Sequence, residues 1–306
     1  MTLNATTTSL RKKRMATKKK TPMIKTGIPN PNPPEPAIAT KEPTTPTISR
    51  YTLEPTDNPH LFRVVDESGD WVVYYNDQTK KYLYAVNYII RHGFPKGEGF
   101  YNYLLSVSRD EAKKILEEAG ERGARVHEAI RDLIDGVTID RDRLYQSDLR
   151  GQYTKLTLDE WGCLIAFLNF CADYKPKVSR RESAVATGDY AGTMDFLGTI
   201  EIKGKTTQTL LDFKTSSAIY PDYKLQTAAY AFASGAPNTG ILRLGSRHKR
   251  GYELVIWDHS QTREHYAAFR ATLRNFRLEN KPYEHKDERV PAILEVDIPI
   301  IKKETK

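Results

Sequence analysis

A chain of 306 residues, 39% hydrophobic with a mean hydropathy of −0.60, has room for one large domain or two small ones around a core of ordinary size. No apolar run approaches the ~18 residues that span a bilayer, no apolar stretch marks a secretory signal, and Cys163 and Cys171 alone supply neither a disulfide framework nor a four-cysteine metal or iron–sulfur site. The net charge of +8 resides in residues 1–50, where ten Lys/Arg face two Glu, while the rest of the chain balances at 37 basic and 37 acidic side chains.

Residues 1–50 are rich in Thr, Pro and Lys and carry no periodic apolar pattern. They read as a disordered basic tail, able to hold a polyanion by counterion release but more simply a solvated leader. Two cysteines in one apolar helical pattern point to a reducing compartment, read as the cytoplasm of a prokaryote or of a virus-infected cell, while a tail without acids up to Glu35 leaves a mitochondrial matrix as the other reading.

From Leu61 the pattern changes. Leu61–Val65 and Trp71–Tyr75, flanking Glu67–Asp70, predict a β-hairpin, and Tyr82–Ile90 follows as a short apolar segment. Ser108-Arg109-Asp110-Glu111 opens a helix to about Asp135, with Gly136 as its stop. Thr157-Leu158-Asp159-Glu160 opens a second, whose apolar face is read as Trp161, Leu164, Ile165, Leu168 and Cys171.

Three strands are then predicted over Arg181–Thr187, Gly192–Ile202 and Thr206–Thr215, and a helix from about Pro221 to Ser234. Strands Gly240–Leu244 and Tyr252–Trp257 and a helix over Ser260–Glu279 complete the order α-α-β-β-β-α-β-β-α. That order specifies an α/β (α+β) domain with a central mixed β-sheet flanked by helices, over 51–285, with 286–306 as a C-terminal tail.

Asp212-Phe213-Lys214 is an acid-x-Lys triplet, a spacing that recurs seven times elsewhere in the chain and means little alone. Its context distinguishes it, because it alone lies inside an apolar strand. Period-two alternation puts Asp212 and Lys214 on one face with Leu211 and Phe213 on the other. The plain reading is an ion pair at a strand end.

Asp195, in the preceding strand, argues for more. A turn at Lys203-Gly204 places it opposite Asp212, and a turn at Gly204-Lys205 places it opposite Lys214. Either register gathers three charged groups, whereas a slip of one residue disperses them. Paired carboxylates favour a hard divalent cation, Mg²⁺ or Mn²⁺, with the Phe213 carbonyl as a further oxygen. Beside such an ion, a lysine can orient water and stabilise a phosphorane-like charge, a chemistry suited to phosphodiester hydrolysis.

Gly123-x-x-x-His127, Glu182-Ser183-Ala184-Val185, Gly192-Thr193-Met194-Asp195, Leu211-Asp212-Phe213-Lys214-Thr215 and Gln226-x-x-x-Tyr230 together resemble the ordered motifs of RecB-family PD-(D/E)xK nucleases. The likeness is nearest to the mitochondrial genome maintenance exonuclease type and related phage exonucleases, and covers roughly residues 60–280. It implies a PD-(D/E)xK, restriction-endonuclease-like core. It also implies metal ligation by His127, Asp195 and Asp212, a catalytic lysine in Lys214, and DNA contact by Gln226 and Tyr230. Glu182 is placed near the site, or in a strand salt bridge with Arg180 or Arg181. The chain departs from the pattern at Ala85-Val86-Asn87, where relatives often carry hydroxyl side chains.

The function so implied is a metal-dependent DNA exonuclease on single strands or DNA ends, in DNA repair or recombination, with no membrane partner. The alternatives are a structure- or sequence-specific endonuclease and a catalytically weak DNA-binding module.

Overall fold

The computed structural model describes residues 47–66, 71–99, 105–146, 153–245, 247–285 and 289–291. The predicted tail up to residue 46, the hairpin turn Glu67–Asp70 and the residues beyond 291 lie outside these. The first described strand, β1 (Thr47–Ser49), pairs antiparallel with Arg289–Pro291.

Strands β2 (Tyr51–Pro55), β3 (Leu61–Asp66), β4 (Trp71–Asn76) and β5 (Lys81–Tyr84) form an antiparallel meander. The expected hairpin is its centre. The apolar segment Tyr82–Ile90 divides into the end of β5 and the start of helix α1 (Val86–Gly93), whose Val86, Ile89 and Ile90 are buried.

Helix α2 (Arg109–Ile134) starts where the Ser108 hydroxyl accepts the Glu111 N–H and stops at Asp135, before Gly136. A small hairpin of β6 (Leu144–Gln146) and β7 (Tyr153–Lys155) leads into helix α3 (Leu158–Tyr174). That helix carries both halves of the capping box between Thr157 and Glu160.

The face expected for α3 is corrected. Ile165 and Leu168 are 50% and 52% exposed, while Cys163, Leu164, Ala166, Phe167 and Phe170 are buried. The helix is apolar nearly all round, so spacing fits more than one face. A polar anchor fixes its rotation: buried Glu160 accepts from Arg125 of α2 at 2.6 Å and 3.0 Å.

Strands β8 (Lys177–Ala186), β9 (Ala191–Ile202) and β10 (Lys205–Lys214), helix α4 (Tyr223–Ser234), strands β11 (Asn238–Leu244) and β12 (Tyr252–Trp257) and helix α5 (His259–Glu279) follow in the expected order. The sheet runs β12-β11-β10-β9-β8. Its β10–β11 pair is parallel, with α4 as the crossover, and its other pairs are antiparallel, so the sheet is mixed.

Each face buries its own core. Val185, Met194 and Leu210 pack with Ile89 of α1, Leu225 and Tyr230 of α4, and Phe269 and Phe276 of α5. On the opposite face Phe196, Leu211, Phe213 and Leu242 meet Val126 and Ile130 of α2, and Phe167 and Phe170 of α3. The domain is therefore a helix–sheet–helix sandwich of mixed α/β class. Among the described residues, no helix is long and apolar enough to cross a membrane.

The β9–β10 turn is Lys203-Gly204, with φ of 49° and 75°. Positive φ at both central residues gives a two-residue hairpin turn its matching twist. Pairing then runs from Lys205↔Ile202 to Leu211↔Phe196. One step further along this register, Asp212 stands across from Asp195, the first of the two arrangements open from sequence.

Candidate active site

Strand alternation separates β10 as the sequence requires. Leu211 and Phe213 enter the core under α2 and α3, and Asp212 and Lys214 face α4. Asp212 is 1% exposed, and its Oδ2 lies 2.6 Å from the Lys214 ammonium.

Gln226 of α4 closes the pair. Its Nε2 donates to Asp212 Oδ1 at 2.9 Å, and its Oε1 accepts from Lys214 Nζ at 3.2 Å. The same Nε2 lies 3.4 Å from the Tyr230 hydroxyl, one helical turn on, and the Tyr223 ring sits 4.8 Å below the Lys214 ammonium. By contrast Asp173 and Glu201, from two of the competing acid-x-Lys pairs, bond Arg250 and Lys175 at the surface.

A second cluster adjoins the first. Asp195 Oδ2 accepts the Phe213 N–H at 2.6 Å, and Asp195 Oδ1 lies 3.4 Å from His127 Nδ1. The other ring nitrogen of His127, Nε2, donates to the Phe213 carbonyl at 3.0 Å. Glu182 Oε1 is 3.9 Å from the same Nδ1. His127, Glu182 and Asp195 each offer a ligand atom, and these lie within 4.8 Å of one another.

Asp212 is outside that group and faces Lys214 and Gln226 instead. The Phe213 carbonyl faces the imidazole. Glu182, read from sequence as a neighbour of the site or a partner of Arg180 or Arg181, is placed by the fold with His127 and Asp195. The backbone there is in the left-handed region, with φ 43° in the middle of β8, an arrangement that side chains with a Cβ rarely adopt. No residue pattern signals it.

The donor set suits a divalent cation. Metal-binding imidazoles commonly donate their second N–H to a backbone carbonyl, which fixes the tautomer and aims the free nitrogen; here Nε2 does so and Nδ1 faces two carboxylates. Burial and the neighbouring Asp195 charge push the Glu182 carboxyl up to about 7. Burial would lower the His127 imidazole, but the Asp195 and Glu182 carboxylates outweigh it and raise the group to about 9. Burial raises Asp212 to about 6 against the pull of Lys214. The Lys214 ammonium is disfavoured by burial yet held above its usual value by Asp212 and Asp195, so it remains a cation.

A proton on His127 and a fraction of one on Glu182 must therefore leave before a metal can bind at neutral pH. Calorimetric titration of Mn²⁺ at pH 7.5, in buffers of different ionisation enthalpy, should show about one proton released per ion. Affinity should rise with pH toward 9. Metal binding without proton release would place the ion away from His127.

Two glycines of the motifs differ in purpose. A Cβ on Gly192 would stand 2.4 Å from Tyr230 Cε1, so the bare strand is what admits the tyrosine. At Gly123 a Cβ would meet only Thr215 Oγ1, at an ordinary 3.9 Å, so among the described residues no close backbone approach requires a glycine there. Asn87 of the divergent Ala85-Val86-Asn87 element is exposed, while Ala85 bridges to Ala191 at the start of β9.

No family model and no curated protein matches the chain. Among solved structures, an alkaline exonuclease from Laribacter hongkongensis is similar over 63% of this chain and 88% of its own, at 11% identity and a TM-score of 0.30. The protein SSO0001 is similar over 40% and 61%, at 12% identity and a TM-score of 0.22. Likenesses at this level establish neither fold nor activity for the chain.

Proposed function

We propose that this chain is a metal-dependent deoxyribonuclease with a PD-(D/E)xK core of RecB type, acting as an exonuclease on single strands or DNA ends. The observation that carries the reading is the junction of two clusters on adjacent strands. One is the buried Asp212–Lys214–Gln226 group, and the other is the His127–Asp195–Glu182 donor set, joined to it through the Phe213 backbone. A plain structural ion pair explains neither the second cluster nor the left-handed Glu182.

In this reading His127, Asp195 and Glu182 hold Mg²⁺ or Mn²⁺, with Asp212 next to them. The bound ion supplies Lewis acidity toward a phosphodiester oxygen. Lys214, a fixed cation whose ammonium already donates to Asp212 and Gln226, has one N–H left to give to the charge that grows on the phosphate in the transition state. Asp212 and Gln226 hold that ammonium in place. Gln226 uses both ends of its amide within the protein, so its part is positioning, while Tyr230 supports it.

The test is a time course with Mg²⁺ or Mn²⁺ on end-labelled linear and covalently circular single-stranded DNA. Decay of the linear form beside persistence of the circle is the expected result. Equal cutting of both would make the enzyme an endonuclease, and no cutting with either ion would remove the nuclease reading.

Imidazole binds Mn²⁺ more readily than Mg²⁺, so Mn²⁺ should support the faster reaction at equal sub-saturating concentration. His127→Ala should narrow that ratio more than it weakens DNA binding. An unchanged ratio with near-normal rate would make His127 a structural helix residue.

A further inference from the structure

Beside the two clusters lies a cavity of about 290 Å³ that the chemistry above does not use. It is lined by Gly192 and Thr193 of β9, three and two residues before Asp195, and by Trp71, Tyr74, Asn87, Tyr88, Arg91 and Tyr230. We infer that this cavity receives one unstacked nucleobase of the DNA strand, next to the phosphate being cut. The inference rests on the nuclease reading and adds to it the form of the substrate.

Four aromatic rings line a space near the lower end of small-ligand pockets, about 300 Å³, and among the described residues no carboxylate does. That combination suits a flat, polarisable, hydrogen-bonding group attached to an anion. Tyr74 and Tyr230 are buried behind the surface, while Trp71 and Tyr88 expose ring area on which a base can stack without regard to sequence. Asn87 and Arg91 are exposed at the rim, able to meet a base edge and a phosphate respectively, and among the described residues Arg91 forms no ion pair.

The deep wall is built with care for its polar atoms. The Tyr74 hydroxyl is 3.1 Å from Thr193 Oγ1 and 3.4 Å from Trp71 Nε1. The Arg63 guanidinium lies over the Trp71 ring at 4.8 Å and reaches Thr193 Oγ1 at 3.5 Å. Arg63 Nε is buried with no hydrogen-bond partner. The wall therefore carries positive charge behind its stacking surface.

Distance ties the cavity to the reaction. Thr193 and Asp195 are two residues apart on one strand, ~7 Å along it, within the length of one nucleotide. Tyr230 belongs to both places: its ring lines the cavity, and its hydroxyl meets the Gln226 amide that holds Asp212 and Lys214. A base seated here must have left its helix, so paired DNA would be a substrate only where it frays.

The experiment uses the full chain, without divalent metal, and a series of single-stranded oligonucleotides in which one abasic site is moved a nucleotide at a time. Fluorescence anisotropy gives the affinity of each, and cleavage with Mn²⁺ maps the cut site in parallel. The expected result is a loss of roughly 5- to 150-fold at one position beside the cut, the range of one base–aromatic stack, and little loss elsewhere.

Trp71→Ala, which removes a wall ring, and Arg91→Ala, at the exposed rim, should bind intact DNA more weakly and flatten the positional dependence. Thermal unfolding of Arg91→Ala should match the parent, and that of Trp71→Ala, which loses its contacts to Tyr74 and Arg63, should stay cooperative. Cleavage and binding with no positional penalty would overturn the cavity assignment and leave the nuclease reading standing. A penalty that persists in both folded variants would place the base elsewhere. Failure to bind or cut any DNA would remove both.

Discussion

Replacing Lys214 with methionine should lower the cleavage rate at saturating DNA and metal by about 10²–10³-fold or more, the usual effect of losing a preorganised donor to a transition-state charge. Metal affinity should change little, because Lys214 is held as an ammonium and has no lone pair to offer an ion. The substitution also strands the buried Asp212. Burial already raises that carboxyl to about 6, and Lys214 is what opposes the rise.

Without the lysine the folded-state value climbs further above its unfolded value. The folded protein then holds a proton that the unfolded chain releases, and stability falls as pH rises through the window between the two values. Lys214→Met should accordingly unfold more readily at pH 8 than at pH 5 by comparison with the parent. Breaking a buried pair from one side costs about 3–5 kcal/mol. The double variant with Asp212→Asn should recover most of the stability and none of the activity. Wild-type rates in Lys214→Met, at matched metal and protein, would defeat the mechanism.

Gly192→Ala should be nearly as damaging, though no part of glycine can touch a substrate through chemistry of its own. The added methyl stands 2.4 Å from the Tyr230 ring. Tyr230 is 1% exposed, so the strain of overpacking, about 1–3 kcal/mol, is relieved only by moving its ring along the cavity it lines, and its hydroxyl with it. Shifting Tyr230 shifts Gln226, and a misplacement near 1 Å at a reacting group costs on the order of 10²-fold.

Gly123→Ala should do the reverse to the fold. It removes a helix-interior glycine and should stabilise by roughly 0.5–1 kcal/mol. Paired melting curves and initial rates decide both. A stable but inactive Gly123→Ala would mean that the glycine makes room for substrate, and a fully active Gly192→Ala would separate Tyr230 from the site.

What the chain discloses in advance is what local chemistry determines. Capping residues at Ser108 and Thr157 set helix starts, and both turns open from sequence kept Asp195 on the face of Asp212 and Lys214, the structure choosing Lys203-Gly204. Period-two alternation sorted Asp212 and Lys214 from Leu211 and Phe213. Features set by tertiary contact were hidden.

The face of α3 depends on Arg125 reaching Glu160 across 35 residues, and an evenly apolar helix gives no hint of it. The edge strands β2 and β5 are short and take their conformation from the hairpin between them. The environment of Gln226 was hidden too: spacing put it with Tyr230 on one helical face, but only the packed α4 shows that face turned toward Asp212.

The left-handed Glu182 has a consequence for how this protein can be improved. A side chain with a Cβ held there costs about 1–2 kcal/mol, and without a cation its carboxylate faces that of Asp195. Its folded-state value near 7 lies above the usual carboxylate range, so this destabilisation grows as pH rises from acid through neutrality. Asparagine tolerates the same backbone and carries no charge. In chelator-treated protein Glu182→Asn should melt higher than the parent, by more at pH 8 than at pH 5, while binding metal less well. Selection for thermal stability alone would then tend to erase the residue, and any screen of this fold for robustness needs an activity filter at that position.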